Sequence, residues 1–519
     1  MMIQRAAVFA ALLMSDPVAG WAEDVTLISR DGTVEISGNL LGYDGEFYRV
    51  DTEFGVLTLD GAGVDCAGPD CPVLATYVAE FTLSGAPAMG DVLIPALLES
   101  FAARNGFVVQ RHAPRGHDFT YELRERATGA LVARVTFRLT SSDEGFADLI
   151  ADKADIALSL REVTPAEAVL ARTGELGDLT APGRSRIVAL DALVPLVAPS
   201  NPLTSIDMGD LAAIYAGEIT NWAALGGADH PIVLHLPGEK SGLAQAFIAK
   251  VQRVYGKTQL APGVQRHDTE ATLANAVAAD PFALGVSSFS DLGNAVPLTL
   301  RGPCGFISRA SLTNIKTEDY PLTAPLFAYL PARRLPALAR QFLRYVGSPA
   351  AQPIIRRAGF VDQFPAAIPF RNQGTRFANA IDRAGTEIDL RELQRLVRTL
   401  SGHNRLTVTY RFEGGATTLD AQSRSNVALL ADALERGVFD DRTLLFVGFS
   451  DGQGPAAINR RLAASRAAAV RDAVRVAART VDPARLTLAT EAFGEAMPMA
   501  CDEVEWGRSV NRRVEVWLK

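Results

Sequence analysis

The stretch GFSDGQGPAAINRRLAASRAAAVRDAV, residues 448–474, sets a carboxylate and a guanidinium where they could act together. Asp451 closes an apolar run and opens a glycine-rich turn, and Arg466 follows on the next predicted helix. Leu462, Arg466, Val470 and Val474 recur at every fourth position there, which puts Arg466 on or beside the apolar stripe. A guanidinium at a core edge requires an acceptor. One solution is internal: an Asp451–Arg466 ion pair, or an Arg whose stem packs while its head reaches solvent. The other is a shared zwitterionic ligand, its ammonium on Asp451 and its carboxylate forked by Arg466. Spacing leaves the two even.

The other chemistry-bearing residues point to no reaction. GEKSG (238–242) lacks the G-x-x-x-x-G-K spacing of a phosphate loop and reads as a turn. His112 and His117 lie in HAPRGH, read as a loop with no neighbouring Cys or paired acid, so they are expected to be exposed rather than metal ligands. No G-x-S-x-G elbow occurs, and the six histidines supply no nucleophile–base set. A non-enzymatic protein is expected, without catalytic residue, metal or cofactor. The net charge of −8, with arginines scattered among acids, disfavours a nucleic-acid partner, which demands a cationic face.

Export is written at the N-terminus. MMIQRAAVFAALLMSDPVAGWAED has Arg5, an apolar run from Ala6 to Met14, and small Gly20 and Ala22 before a cut, the pattern of a signal peptide over 1–22. The run is too short to span a bilayer, and no later segment offers about 20 uninterrupted apolar residues, so a soluble, exported mature chain is expected. In an oxidising compartment Cys66 and Cys71, in DCAGPDC, are expected to form a disulfide, since Gly68 and Pro69 let the chain double back. A metal pair there would lack its remaining ligands. Cys304 and Cys501 either pair across domains or stay free.

At 519 residues the chain exceeds one core, and its patterns divide it. Residues 23–76 alternate apolar and polar positions between DG turns (31–32 and 44–45), which predicts a small β module, barrel-like and closed by the Cys66–Cys71 loop. Residues 77–365 alternate strands and helices, the signature of an α/β fold in two lobes. Ile94, Leu97, Leu98 and Phe101 fall on one helix face that closes at Gly106, ADIALSL and IVALDALVPLVA read as buried strands, and SPAAQPIIRRAG reads as a helix capped by Ser348 and begun by Pro349. Residues 366–403 read as a linker with a polar helix from about 388 to 400. Residues 404–519 follow as β-α-β-α-β-β, a small α/β sandwich.

The middle region resembles the PstS-like periplasmic phosphate-binding proteins. The likeness rests on DIALSLREVTPAE, IVALDALVPLVAPSNPLTSIDMGDLAAIYAGEITNWAALGG, KSGLAQAF, YPLTAPLFAYL and the SPAAQ helix, in that order. It implies two α/β lobes of the type II binding-protein class, joined by crossing strands, with a ligand cleft between them. The cleft residues it implies are Gly85, Ala86, Ser159, Arg161, Ser241 and Gly242. The phosphate ligands are depleted, however. The first turn, Gly85-Ala86-Pro87-Ala88-Met89-Gly90, has no hydroxyl, Leu160 replaces a carboxylate, and Pro237 and Leu243 replace Arg and Thr. A buried dianion needs charge-assisted donors. Helix N-termini and Arg161 remain as anion ligands.

The last region resembles the OmpA-like peptidoglycan-binding domain. Asp451, Gly454, Asn459, Leu462, Arg466-Ala467, Gly507-Arg508 and NRRVE (511–515) carry the likeness, with Phe449-Ser450 as the departure. The resemblance implies that Asp451 and Arg466 grip the ammonium and carboxylate of diaminopimelate in a stem peptide, with Asn459 and Leu462 lining the site. The expected whole is a Gram-negative periplasmic binding protein held to peptidoglycan, associated with the wall or outer membrane, whose cleft takes a small or anionic ligand. Two alternatives stand: a degenerate middle domain that contacts envelope proteins, or a phosphate transport receptor.

Overall fold

A computed structural model describes residues 25–115, 118–174, 176–412 and 417–519, so the expected signal peptide (1–22) and His117 lie outside the described residues. The chain forms two compact units, one ending at Ala79 and the other running from Glu80 to Lys519.

The first unit is a five-stranded antiparallel sheet of β1 (Val25–Ser29), β2 (Glu35–Tyr43), β3 (Phe47–Thr52), β4 (Gly55–Asp60) and β5 (Val64–Ala67), in the order β4-β3-β2-β1-β5. Both DG turns are held by their Asp. Asp31 accepts from Ser29 Oγ at 2.6 Å and Thr33 Oγ1 at 2.7 Å, and these hydroxyls pull its carboxyl down to about 2. Asp44 accepts from the Glu46 and Phe47 amides at 2.9 and 2.8 Å. Among the described residues the core is Val25, Leu27, Tyr48 and Val50, edged by Leu40, Tyr43, Leu59, Val64 and the Cys66–Cys71 disulfide. So small a core gains from a covalent staple. The barrel expectation is revised, because β4 and β5 share no ladder among the described residues.

In the second unit β6 (Ala79–Gly85) leads into α1 (Ile94–Arg104), followed by β7 (Phe107–Arg115), β8 (Asp118–Glu125), β9 (Leu131–Leu139), α2 (Ser142–Ile150), β10 (Ile156–Ser159) and α3 (Pro165–Thr173). These build one lobe. β11 (Ser185–Val197) leaves it for the second lobe: β12 (Ser205–Asp207), α4 (Met208–Tyr215), β13 (Val233–Pro237), α5 (Gly242–Phe247), β14 (Gln265–His267), α6 (Glu270–Ala279), β15 (Ala283–Ser288), β16 (Val296–Pro297), β17 (Thr299–Arg301), β18 (Ile307–Ser308) and α7 (Leu312–Lys316). β19 (Thr323–Tyr329) returns, with α8 (Ala337–Val346) and α9 (Gln352–Arg357).

One sheet runs through both lobes in the order β14-β13-β15-β11-β19-β10-β6-β9-β8-β7. β11 pairs antiparallel with β19 over Ser185–Ala192 and with β15 over Leu193–Val197, so it belongs to both. Covered on both faces, it is almost wholly apolar beyond Arg186, its one interior charge being Asp191, which is buried and accepts from Ser290. Two local expectations change. His112 lies on β7, not in a loop, with Nε2 3.6 Å from Glu122 on β8. Ser348 does not cap a helix: α9 starts at Gln352 with Ala351 as its N-cap. Pro353, rather than Pro349, occupies the first turn, where a missing N–H costs no hydrogen bond.

The segment expected as a linker is built into the last domain. β20 (Ala367–Ile368) adds an edge strand, and α10 (Gly374–Asp382) and α11 (Leu390–Leu400) cover one sheet face. The sheet also contains β21 (Asn404–Arg411), β22 (Arg442–Phe449), β23 (Leu486–Gly494) and β24 (Arg513–Leu518), in the order β20-β21-β24-β22-β23. α12 (Ala421–Glu435) and α13 (Ala456–Ala477) cover the opposite face, and α14 (Glu505–Asn511) precedes the final strand. The result is helix–sheet–helix.

This domain is fixed to the two-lobed one by buried charge. Glu515 on β24 has no exposure; it accepts from Arg513 Nε at 2.7 Å and Trp517 Nε1 at 3.1 Å, is ion-paired with Arg376, and lies 3.4 Å from Arg405 Nε without a hydrogen bond to it. Arg405 then forks onto Asp319 before β19, at 2.5 and 2.9 Å. Burial opposes ionisation of Glu515, yet Arg376, Arg405 and Arg513 outweigh it and hold its pKa below the usual range. Beside this cluster Glu318 is pushed up to about 8, by burial first, although Arg411 lies 3.6 Å away and Asn426 Nδ2 donates to it at 3.1 Å.

Glu515→Ala, which strands three buried guanidiniums, is expected to cost roughly 3–5 kcal/mol in urea unfolding; a loss under 1 kcal/mol would contradict the cluster's role. Glu318 has the opposite sign. Its folded pKa lies above the unfolded value of about 4.3, so its penalty is absent at low pH and grows as pH rises from there to about 8. Glu318→Gln is expected to stabilise the chain at pH 8 and leave it unchanged at pH 4, as read by thermal unfolding across that range.

Candidate functional site

Two places bring the sequence-predicted residues together. At the lobe junction, Gly85 ends β6 with φ +132°, and a Cβ there would lie 2.1 Å from the Leu158 carbonyl oxygen, so only glycine fits. Ala86 is buried and donates its N–H to that same carbonyl at 2.9 Å. The buried Ser159 hydroxyl donates to the Arg161 carbonyl at 2.8 Å. Ser142 Oγ accepts from the Leu160 amide at 3.1 Å. Across the junction Ser241 caps α5, accepting from the Leu243 amide at 3.2 Å.

The lobes meet directly at Gly242. A Cβ on it would come within 2.6 Å of Ser142 Oγ and 2.8 Å of Leu160 Cβ. Arg161 is not free to meet an anion, a departure from its expected role. Its guanidinium forks onto Glu167 at 2.9 and 2.7 Å, pairs with Asp143, and donates from Nε to Gln245 Oε1 at 3.0 Å. Gln245 in turn donates to Asp143 Oδ2 at 2.8 Å, and Lys240 pairs with Glu144 at 3.3 Å. Polar groups that would hold an anion are spent bridging the lobes.

The second place is the end of β22. Asp451 leaves that strand, and Arg466 projects from α13 with no solvent exposure, its guanidinium 5.0 Å from the Phe412 ring centre. Burial and the neighbouring Arg512 lower the Arg466 pKa, while Asp451 raises it. The three charges are therefore near enough to bias one another's ionisation. The described ion pair of Asp451 is not with Arg466, however. Its Oδ2 accepts from Arg512 Nη1 at 2.9 Å, and Arg512 Nη2 holds Glu505 at 2.7 Å. The internal Asp451–Arg466 pair gives way to Asp451–Arg512, because Arg512 lies at the foot of β24, beside β22.

Asn459 is buried near the start of α13 and donates to the Gly454 carbonyl at 3.3 Å and to Glu495 Oε2. Leu462 is half-buried on the same helix. The loop facing Asp451 is clamped by Asn511, which is fully buried. Its Oδ1 accepts from the Met499 and Ala500 amides at 2.6 and 3.0 Å, and its Nδ2 donates to the Ala500 carbonyl and to Asp502 Oδ1, both at 2.8 Å. Asp502 Oδ2 then accepts the Gly452 amide at 2.9 Å, next to Asp451. The same loop carries Cys501, disulfide-bonded to Cys304 of the second lobe. Trp506 Nε1 donates to Tyr255 Oη of that lobe at 2.9 Å.

Spacing missed Arg512, Asp502, Glu505 and Glu495. The NRRVE string contained the signal for Arg512, but no local pattern separates it from Arg513, which turns inward to Glu515. The arrangement offers a carboxylate and two guanidiniums at one helix-and-loop edge, suited to a ligand bearing both charges.

A family model described as "PBP superfamily domain" matches residues 75–350, and one described as "OmpA family" matches residues 411–512. The chain is 28% identical over 177 residues to the phosphate-binding protein PstS of Bacillus subtilis, covering 34% of this chain and 56% of that protein. It is 25% identical over 239 residues to protein SphX of Synechococcus elongatus, covering 44% and 68%. The chain thus spans little more than half the length of the first of these relatives. Among solved structures, an ABC-type phosphate transport receptor from Vibrio cholerae is similar at 19% identity and TM-score 0.40, over 54% of this chain and 99% of that one. PstS from Borrelia burgdorferi is similar at 18% identity and TM-score 0.38, over 55% and 98%.

Asn511→Ala leaves the Met499 and Ala500 amides and the Ala500 carbonyl without their partner. At about 1–3 kcal/mol for an unsatisfied buried group, it is expected to lower stability by more than 2 kcal/mol. It is also expected to speed hydrogen exchange at both amides. Unchanged exchange there would contradict the clamp.

Proposed function

The chain belongs to the PBP superfamily and carries an OmpA family domain at 411–512, and from that premise we propose that it is an exported periplasmic protein anchored non-covalently to peptidoglycan. Asp451 receives the ammonium and Arg466 the carboxylate of a diaminopimelate centre, while Asn459 and Leu462 line the site. The observation that carries this reading is the convergence of Asp451, Arg466 and Arg512 at one edge, with the facing loop fixed by Asn511. Arg512 neutralises Asp451 in the free protein, and a ligand ammonium would take its place on that carboxylate.

The two-lobed domain is proposed as a binding or contact module and not as a high-affinity phosphate receptor. A specific observation favours this. Gly242 packs against Ser142 and Leu160, and Arg161 is engaged by Glu167, Asp143 and Gln245. A phosphate dianion there would have to displace those partners without gaining the hydroxyls absent from Ala86 and Ala88. The phosphate-binding named for its relatives therefore does not carry over on these residues. No enzymatic step is proposed.

Two measurements test the reading. The chain without residues 1–22 is expected to sediment with diaminopimelate-containing peptidoglycan. Asp451→Ala or Arg466→Ala should weaken this by roughly 2–5 kcal/mol, about thirtyfold to several thousandfold. A folded wild-type chain that ignores peptidoglycan, or an Arg466→Ala chain that binds it equally well, would overturn it. In calorimetry the same chain is expected to bind inorganic phosphate weakly or not at all, and a submicromolar dissociation constant would refute that part.

A further inference from the structure

A groove of about 570 Å³ lies between the first lobe and the C-terminal domain, away from both places described above. Its walls are the start of β11, the end of α8, and α12 with the far end of α13. The floor is apolar, formed among others by Ile187, Val188, Val346, Leu419 and Val427. Four guanidiniums line it, from Arg186, Arg344, Arg424 and Arg436, against a single carboxylate, Asp432. Asp432 is engaged by Arg436 at 2.6 Å, and Arg424 donates to the Leu419 carbonyl.

Arg186 and Arg344 differ from those two. Arg186 donates to the Leu343 carbonyl at a long 3.4 Å, and among the described residues neither has a carboxylate at ion-pair distance. Partial burial, then the like charge of Arg344, lowers the Arg186 pKa. Two cations held beside an apolar floor, in a chain of net charge −8, form a local reversal of sign. Binding sites for small organic molecules are concave, mostly apolar, roughly 300–1,000 Å³, and favour domain junctions with a few convergent polar groups. The groove meets each of these conditions. An inorganic anion would leave its apolar floor unused, and an uncharged lipid would leave its two guanidiniums unmatched.

We propose that this groove binds a single-chain anionic amphiphile, with its carboxylate or phosphate head on Arg186 and Arg344 and its hydrocarbon chain along Ile187, Val188, Val346 and Val427. Occupancy would span the first lobe and α12 at once, so the ligand would also bridge the two domains. This reading is independent of the peptidoglycan proposal, since none of its residues touches Asp451 or Arg466 in the contacts described.

The test is calorimetry on the chain without residues 1–22, with dodecanoate below its micelle concentration and inorganic phosphate as separate titrants. Dodecanoate is expected to bind one to one. The double variant Arg186→Gln/Arg344→Gln should bind it at least tenfold more weakly. Ala428→Trp, at an exposed position on the groove wall, should block it while peptidoglycan sedimentation is retained. Circular dichroism and thermal unfolding verify that each variant is folded. Absence of saturable dodecanoate binding would overturn the proposal. So would equal affinity in the double variant, or in Ala428→Trp, which would place the ligand elsewhere. Phosphate binding as tightly as dodecanoate would also overturn it, because the site would then read charge alone.

Discussion

Glu515 lies fully buried among Arg376, Arg405 and Arg513, and Arg405 carries the cluster onward to Asp319 in the two-lobed domain. Ionised groups out of water are tolerated only when their partners are complete and well aligned. That demand fixes several elements together: β24 supplies Glu515 and Arg513, β21 supplies Arg405, α10 supplies Arg376, and the turn before β19 supplies Asp319. A shift of any of them would leave a charge unmatched. The cluster gives the C-terminal sheet a single register on its neighbour and explains why 366–403 packs as structure and not as a tether.

The site at Asp451 inherits this rigidity. β24 begins two residues after Asn511, so the strand that buries Glu515 also places the Asn511 clamp and the Arg512 guanidinium. Asn511 orders the 499–502 loop, Asp502 holds the Gly452 amide, and Cys501 ties the loop to the second lobe. An edge supported from a neighbouring domain has less conformational freedom left to lose. The two-lobed domain thus acts on the C-terminal site as scaffold, whatever its own cleft holds.

The lobe junction shows the reverse arrangement. Hydroxyl and guanidinium groups that could meet an anion are consumed within the protein, and the opposing lobe leaves no room for a Cβ at Gly242. The same residue types, Ser and Arg at helix starts, serve lobe–lobe packing here. Residue identity at a motif position therefore does not fix its role. Its partners do.

Much of the architecture is local and was legible in the chain. The periodicity of Ile94, Leu97, Leu98 and Phe101, the apolar run of β11 and the DG turns each specify an element through interactions within a few residues. The recurrence of Leu462, Arg466, Val470 and Val474 placed Arg466 on the inner face of its helix, where it is buried. Cys66 and Cys71 were readable because five residues of separation leave few other partners. Tertiary structure alone decided the rest. Whether Cys304 meets Cys501, whether Asp451 pairs with Arg466 or Arg512, and whether Arg161 faces a ligand or Glu167 all depend on segments distant in sequence. The same holds for α10 and α11, whose polar composition concealed a buried stripe until the sheet face was present to cover it. Sequence periodicity records which face of an element is apolar. It carries no record of which distant charge will stand opposite a given side chain, because that choice is made by the summed packing and desolvation of the whole fold.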